Sequence, residues 1–182
     1  MLNWRIILMF NNYIKLLLIL LLNLIDGTQS KAQFEIKPFD QTADMQFLLD
    51  CCQSEKYWLN IKDFESSSWL DSVFPTYFEK DQIVIIWQEN NPVGFCAYHL
   101  VNDTQGLISM ICVAEKYRGN GYSTKLMRHA IDQLFQSGAT CIAINVREEN
   151  NIARALYKKF GFVERIFYVQ EKIFQLFLYK TA

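Results

Sequence analysis

Val113-Ala-Glu-Lys-Tyr-Arg118-Gly119-Asn120-Gly121-Tyr122-Ser123-Thr-Lys-Leu-Met-Arg128 marks the point where an apolar run gives way to an amphipathic one. Leu107 to Val113, leading into it, reads as an apolar strand. Beyond it Leu126, Met127, Ala130, Ile131, Leu134 and Phe135 recur at helical spacing, while Lys125, Arg128, Asp132 and Gln133 fall elsewhere. Gly138 suits the end of that helix. The loop Arg118 to Ser123 therefore lies between a strand and the first turn of a helix. The first N–H groups of a helix have no partner inside it, its macrodipole is positive there, and glycines let a phosphate approach the backbone. Arg118 adds a charged fork for a phosphate oxygen. A short Gly-x-Gly also serves as a plain tight turn beside a solvated arginine. The flanking strand and helix favour the anion cradle.

Working outward, short apolar runs alternate with helical patterns. Phe34 to Pro38 predicts a strand, Asp44 to Cys52 a helix, and Ile61 to Phe78 a helix in pieces broken at Pro75. Ile83 to Trp87 and Val93 to Val101 are separated by Glu89-Asn90-Asn91-Pro92, a hairpin signal. Cys141 to Val146 predicts a buried strand, Ile152 to Phe160 a short helix, and Phe162 to Tyr168 with Ile173 to Tyr179 a final pair of strands. The sum is a mixed α/β (α+β) chain. Its 182 residues, 51% of them hydrophobic, fit one ordinary domain with an ample core. A net charge of −1 gives no global pull toward nucleic acid or acidic membranes. The five cysteines have neither metal-ligand spacing nor a C-x-x-C pair, so no metal site is expected. Cys96, Cys112 and Cys141 sit in apolar runs as small buried hydrophobes, and Cys51 with Cys52 reads as packing on the first helix.

Residues 1 to 32 differ from the rest. Arg5 and Lys15 are the only charges before Asp26, and Leu16 to Leu22 is unbroken Leu and Ile. A basic start, an apolar run through Ile25 and a polar stretch ending Ser30-Lys31-Ala32 match a secretory signal cleaved after Ala32. A retained anchor is the second reading, handicapped by Asn11, Asn12, Lys15 and Asn23, and a non-native start is the third. Membrane contact is expected only through this leader. Export conflicts with the cytoplasmic location that a need for a cytosolic cosubstrate implies below.

A second stretch, Asn150-Asn-Ile-Ala153-Arg-Ala-Leu156-Tyr157-Lys-Lys-Phe-Gly161-Phe162, carries further chemistry. Ile152, Leu156 and Phe160 form one helical side, with Tyr157 about 100° further round at its margin. Its hydroxyl either reaches a cleft or is satisfied inside the core. Asn150 stands where a helix cap is expected.

Together these two stretches resemble the GNAT superfamily of N-acetyltransferases. Arg118, Gly121 and Ser123 match its coenzyme-A motif Arg/Gln-x-x-Gly-x-Gly/Ala, with Ser123 in place of the usual Gly or Ala. Asn150 to Phe162 is similar to the family's Asn-x-x-Ala-x-x-Leu-Tyr-x-x-x-Gly-Phe, and the likeness covers residues 33 to 182. The resemblance implies a mostly antiparallel sheet of about six to seven strands, with helices on both faces and strands splayed at the cofactor site. It implies acetyl-CoA as acyl donor and an amine acceptor, whether small molecule, peptide N-terminus or lysine, and it leaves a homodimer open. Backbone groups of Ile111, Cys112 and Val113 would meet the pantetheine arm. The pyrophosphate would sit on the N–H groups of Arg118, Gly119, Asn120, Gly121, Tyr122 and Ser123. Asn150 would bond the pantetheine amide or cap its helix, and Tyr157 would protonate the departing thiolate.

The general base is the gap in this pattern. Leu107 to Val113 holds no carboxylate, and Ser109 is its only polar side chain. His99 on the neighbouring strand has the right intrinsic chemistry, although it also reads as a partly exposed strand histidine. Asp103 and Glu148 are weaker candidates near strand ends. Cys112 lies near the expected thioester, yet no base is visible beside it to activate a covalent route. The rivals to direct acyl transfer are a non-catalytic acyl-CoA-binding module and an exported interaction protein on the same scaffold.

Overall fold

The β-branched and aromatic runs of the sequence become seven strands in the computed structural model, which describes residues 33–54 and 78–181. In chain order the elements are β1 (Phe34–Pro38), α1 (Gln41–Ser54), β2 (Gln82–Gln88), β3 (Asn91–Asn102), β4 (Gln105–Val113), α2 (Tyr122–Gln136), β5 (Cys141–Arg147), α3 (Asn151–Lys159), β6 (Val163–Tyr168) and β7 (Ile173–Tyr179). The expected leader and the aromatic segment 61–77 lie outside the described residues. Among those described, no helix is long and apolar enough to cross a membrane.

The strands form one sheet in the order β1-β2-β3-β4-β5-β7-β6. All neighbours are antiparallel except β4 and β5. The β2–β3 hairpin turns at Glu89 and Asn90, both with φ near +55°, the left-handed pair that matches the twist of flanking strands.

Period-two alternation along the strands divides the core in two. Ile85, Phe95, Ala97 and Met110 pack with Leu48, Cys51 and Cys52 of α1. Val84, Ile86, Cys96, Tyr98 and Ile108 pack with α2 on the opposite face, and Tyr157 of α3 joins that second cluster. Helices therefore cover both faces. The apolar stripe of α2 is as its spacing predicts, with Tyr122 added to the buried set. Its C-terminus closes at Gly138, where φ is +106° and Ala139 N donates to Leu134 O at 3.0 Å.

Two features shape the middle of the sheet. The β3–β4 register shifts between Ala97–Met110 and Tyr98–Ile108, leaving Ser109 as an extra residue on β4. This is a β-bulge, which bends its strand and re-aims a side chain. The parallel ladder between β4 and β5 runs from Gln105–Cys141 to Ile108–Ile144 and goes no further, although β4 continues to Val113 and β5 to Arg147. Past Ile108 the two strands part, so the expected splay is present.

One expectation about α3 is corrected. Ile152 is 87% exposed, whereas Tyr157, placed by the sequence at the margin, is only 5% exposed. Ala153, Leu156 and Phe160 complete the packed side. The buried stripe is thus 153/156/157/160, the i, i+3, i+4, i+7 set centred on the tyrosine. The hydrophobic character of Ile152 misplaced the stripe by one residue.

Candidate active site

Helix α2 begins at Gly121, its N-cap, with φ +77° and ψ +10° and no side-chain cap. Gly119 is also left-handed, at φ +81°. A Cβ added at either glycine would meet nothing within 4 Å. The glycines are therefore required by the backbone path, and the space above them is open. Asn120 braces the loop through its Nδ2, which donates to Tyr117 O at 3.1 Å and to Arg118 O at 3.3 Å. Tyr122 turns its ring into the core and donates its hydroxyl to Gln88 Oε1. The N–H groups of the first turn, including that of Ser123, point into the open space at the positive end of the dipole.

Arg118 departs from its expected place in two ways. Its own N–H donates to Glu115 O at 3.1 Å, closing the 3-10 turn Glu115–Tyr117, so it is not part of the cradle. Its Nε donates to Val113 O at 3.0 Å, folding the guanidinium back on the end of β4.

The fork between β4 and β5 leads to this helix end. Ile111, Cys112 and Val113 pair with Cys96, Phe95 and Gly94 of β3, so one edge of that segment is bound and its other edge faces the gap left by β5. Gly94 permits the close approach of β3: a Cβ there would stand 2.6 Å from Cys112 O. The Cys112 thiol is buried on the α1 side of the sheet.

Tyr157 lies in the core cluster beneath the sheet, its ring centroid 6.1 Å from that of Phe162. Burial pushes its hydroxyl well above the usual phenol range, and the Cys96 thiol adds in the same direction. The group carries its proton at neutral pH. Asn150 caps α3: its Oδ1 accepts from Ala153 N at 3.1 Å. Of its two expected roles, the geometry shows this one.

His99 is partly exposed on its strand, and it has a partner. Its Nδ1 lies 2.7 Å from Asp81 Oδ1, and Ser109 Oγ donates to the same oxygen at 2.7 Å. Sequence reading missed Asp81. Asp103 lies instead in the β3–β4 turn and Glu148 between β5 and α3, where Glu148 contributes main-chain bonds to Lys172 O and from Arg154.

A cavity of about 760 Å³ is lined by Ile36, Phe39, Asp81, Val84, Tyr98 and His129, among others. It borders β1, β2 and the middle of α2. The β4–β5 fork is the better candidate because it brings the open end of α2 beside a gap between strands.

The residues present fit a coenzyme-A thioester. Open space above two left-handed glycines suits a diphosphate, and the strand edge that faces the gap left by β5 suits an amide-bearing arm. An acyltransferase is the class these features define. A family model described as Acetyltransferase (GNAT) family matches residues 46–162, and the chain belongs to that family. A mycothiol acetyltransferase of Corynebacterium efficiens is 30% identical over 48% of this chain, which spans only 29% of that protein. N-alpha-acetyltransferase 30 of Saccharomyces cerevisiae is 27% identical, with 71% of this chain and 73% of that protein covered. In fold, a spermidine N-acetyltransferase from Vibrio cholerae, solved with CoA and spermine, aligns at a TM-score of 0.70 and 18% identity over 81% of this chain and 95% of that one.

Proposed function

We propose that the chain moves an acetyl group from acetyl-CoA to a primary amine by direct attack within a ternary complex. The observation that carries this is the parting of β4 from β5 at Ile108 beside an α2 whose N-terminus has no cap. Acetyl-CoA supplies an activated thioester. The first-turn N–H groups of α2 hold the diphosphate, and the edge of Ile111 to Val113 that faces the fork aligns the pantetheine arm. A backbone N–H near Ile111 stabilises the carbonyl oxygen as charge develops on it. The amine nitrogen bonds to the carbonyl carbon, the carbon–sulfur bond breaks, His99 takes the ammonium proton and Tyr157 returns a proton to the sulfur.

A covalent route through Cys112 is disfavoured, because the thiol points with Met110 and Phe95 into the α1 side of the core. For the acceptor, the N-alpha-acetyltransferase and the spermidine enzyme together point to an amine, whether a peptide α-amine or a polyamine. Calorimetric titration with acetyl-CoA, followed by thiol release across peptides, polyamines and lysine analogues, tests the reading. Micromolar binding with amine-dependent thiol release is expected. Binding without release for any amine would establish the non-catalytic module instead.

A further inference from the structure

Asp81 is a buried charge to which the mechanism above gives no task. Only 1% of its side chain is exposed, and a carboxylate so placed is costly unless its oxygens are bonded. Both bonds to its Oδ1 come from residues at the fork. His99 Nδ1 stands 2.7 Å away on β3 and Ser109 Oγ 2.7 Å away on the bulge of β4. The His99 side chain keeps 18% exposure while its Nδ1 is anchored on the aspartate.

An ionised carboxylate only accepts hydrogen bonds. A hydrogen bond to that carboxylate places a proton on Nδ1, and in the neutral ring this leaves Nε2 with a lone pair. Ser109 donates its proton to the same oxygen. Its contact with His99 Nδ1, at 3.4 Å, meets a nitrogen that already carries hydrogen, so the serine is not activated as a nucleophile. Among the described residues, Asp81 is the one ionisable side chain in contact with His99, and β4 contributes only the Ser109 hydroxyl.

We propose that Asp81 is a positioning residue that locks His99 in the Nδ1–H tautomer and so presents Nε2 to the proton leaving the acceptor amine; the proposal rests on the direct-transfer reading above. Location supports it. Ser109 immediately follows Ile108, the last β4 residue paired with β5, and its hydroxyl ties Asp81 to that point of β4.

The test has two arms on the full chain. Nitrogen-15 imidazole shifts of the wild-type protein should show His99 as the neutral Nδ1–H tautomer; an Nε2–H tautomer overturns the proposal and needs no variant. Steady-state kinetics form the second arm. Asp81→Asn should lower kcat about 100-fold, on the scale of a lost general base, with KM for acetyl-CoA unchanged. In a His99→Gln background the same change should cost less than about twofold, because residues acting as a unit are not additive. Equal losses in both backgrounds would assign Asp81 a merely structural part and overturn the proposal. Absence of transfer to any amine by the wild-type chain defeats the transfer reading and the dyad's role together, whereas transfer with an additive pair defeats the dyad alone.

Discussion

At the amino end of α3, Asn150 folds its side chain back to accept from Ala153 N. At the amino end of α1, Asp40 Oδ1 does the same for Thr42 N and Ala43 N. At the amino end of α2 stands Gly121, which has no side chain to offer. A cap of the first kind contributes about 1 kcal/mol, so α2 forgoes stability that its two companions keep. It can do so because Leu126, Met127 and Ala130 are fully buried against the sheet, and packing rather than capping holds most protein helices. α3 is nine residues long with one buried side chain, so it leans on its cap. The contrast teaches that an open helix end is sustained where burial is deepest, and its unanswered N–H groups are then free for an anion from outside.

The largest test asks whether α3 supplies a side chain to the chemistry while α2 supplies backbone to binding. Tyr157→Phe keeps the ring and removes the proton, and kcat should fall about 100-fold with the acetyl-CoA dissociation constant within twofold of wild type. Stopped-flow thiol release and calorimetry separate the two quantities. Unchanged turnover would return Tyr157 to the core as a packing residue. Next, Gly121→Asp gives α2 the cap it lacks and puts a carboxylate where the diphosphate is expected. Affinity for acetyl-CoA should drop about 30-fold, equivalent to about 2 kcal/mol of charge at a helix N-terminus. Gly121→Asn, which tolerates the same left-handed backbone without the charge, should lose far less. A smaller effect is expected at the closed end: Asn150→Ala should cost about 1 kcal/mol in urea unfolding, with Asn150→Asp restoring most of it. An affinity loss for acetyl-CoA beyond that destabilisation would show that Asn150 also reaches the pantetheine arm.

The open and closed ends differ as well in how well the chain announced them. The strand-to-helix switch around Gly119 and Gly121 was visible in apolar spacing, so the loop that opens α2 was legible. The strands followed from β-branched runs, and the splay from the family likeness. The residue at which the fork opens was not legible, because nothing in the side chains of Ile108 or Ile144 marks the end of a ladder. Asp81 was missed for a related reason: it meets His99 only after β2, β3 and β4 have paired, across 18 and 28 positions of sequence. Arg118 was misjudged because a local 3-10 turn, invisible to periodicity, folds it toward Val113. Local chemistry was readable, and chemistry assembled across strands was not.

The smallest test concerns what else ties α3 down. Arg154 donates to Glu164 Oε1 of β6 from Nε at 3.1 Å and from its terminal nitrogen at 2.8 Å, and Lys158 lies 3.3 Å from the same oxygen. The hydrogen bond from Arg154, aided by Lys158 and opposed by partial burial, holds the Glu164 carboxyl below its ordinary value. A carboxyl depressed by folding stabilises the native state above its unfolded pKa, near 4.5, and that contribution disappears as pH falls through the lower folded value. Glu164→Gln should therefore cost about 0.5 kcal/mol at pH 7, within the range of partly exposed pairs, and almost nothing at pH 2. α2 has no counterpart to this clamp at its open end, so the same pH titration of acetyl-CoA-free protein should leave a Gly121→Asn variant parallel to wild type. Urea midpoints measured for both variants between pH 2 and pH 7 decide it: a Glu164→Gln difference that persists undiminished at pH 2 would mean the ion pair contributes nothing and packing alone seats α3 on β6.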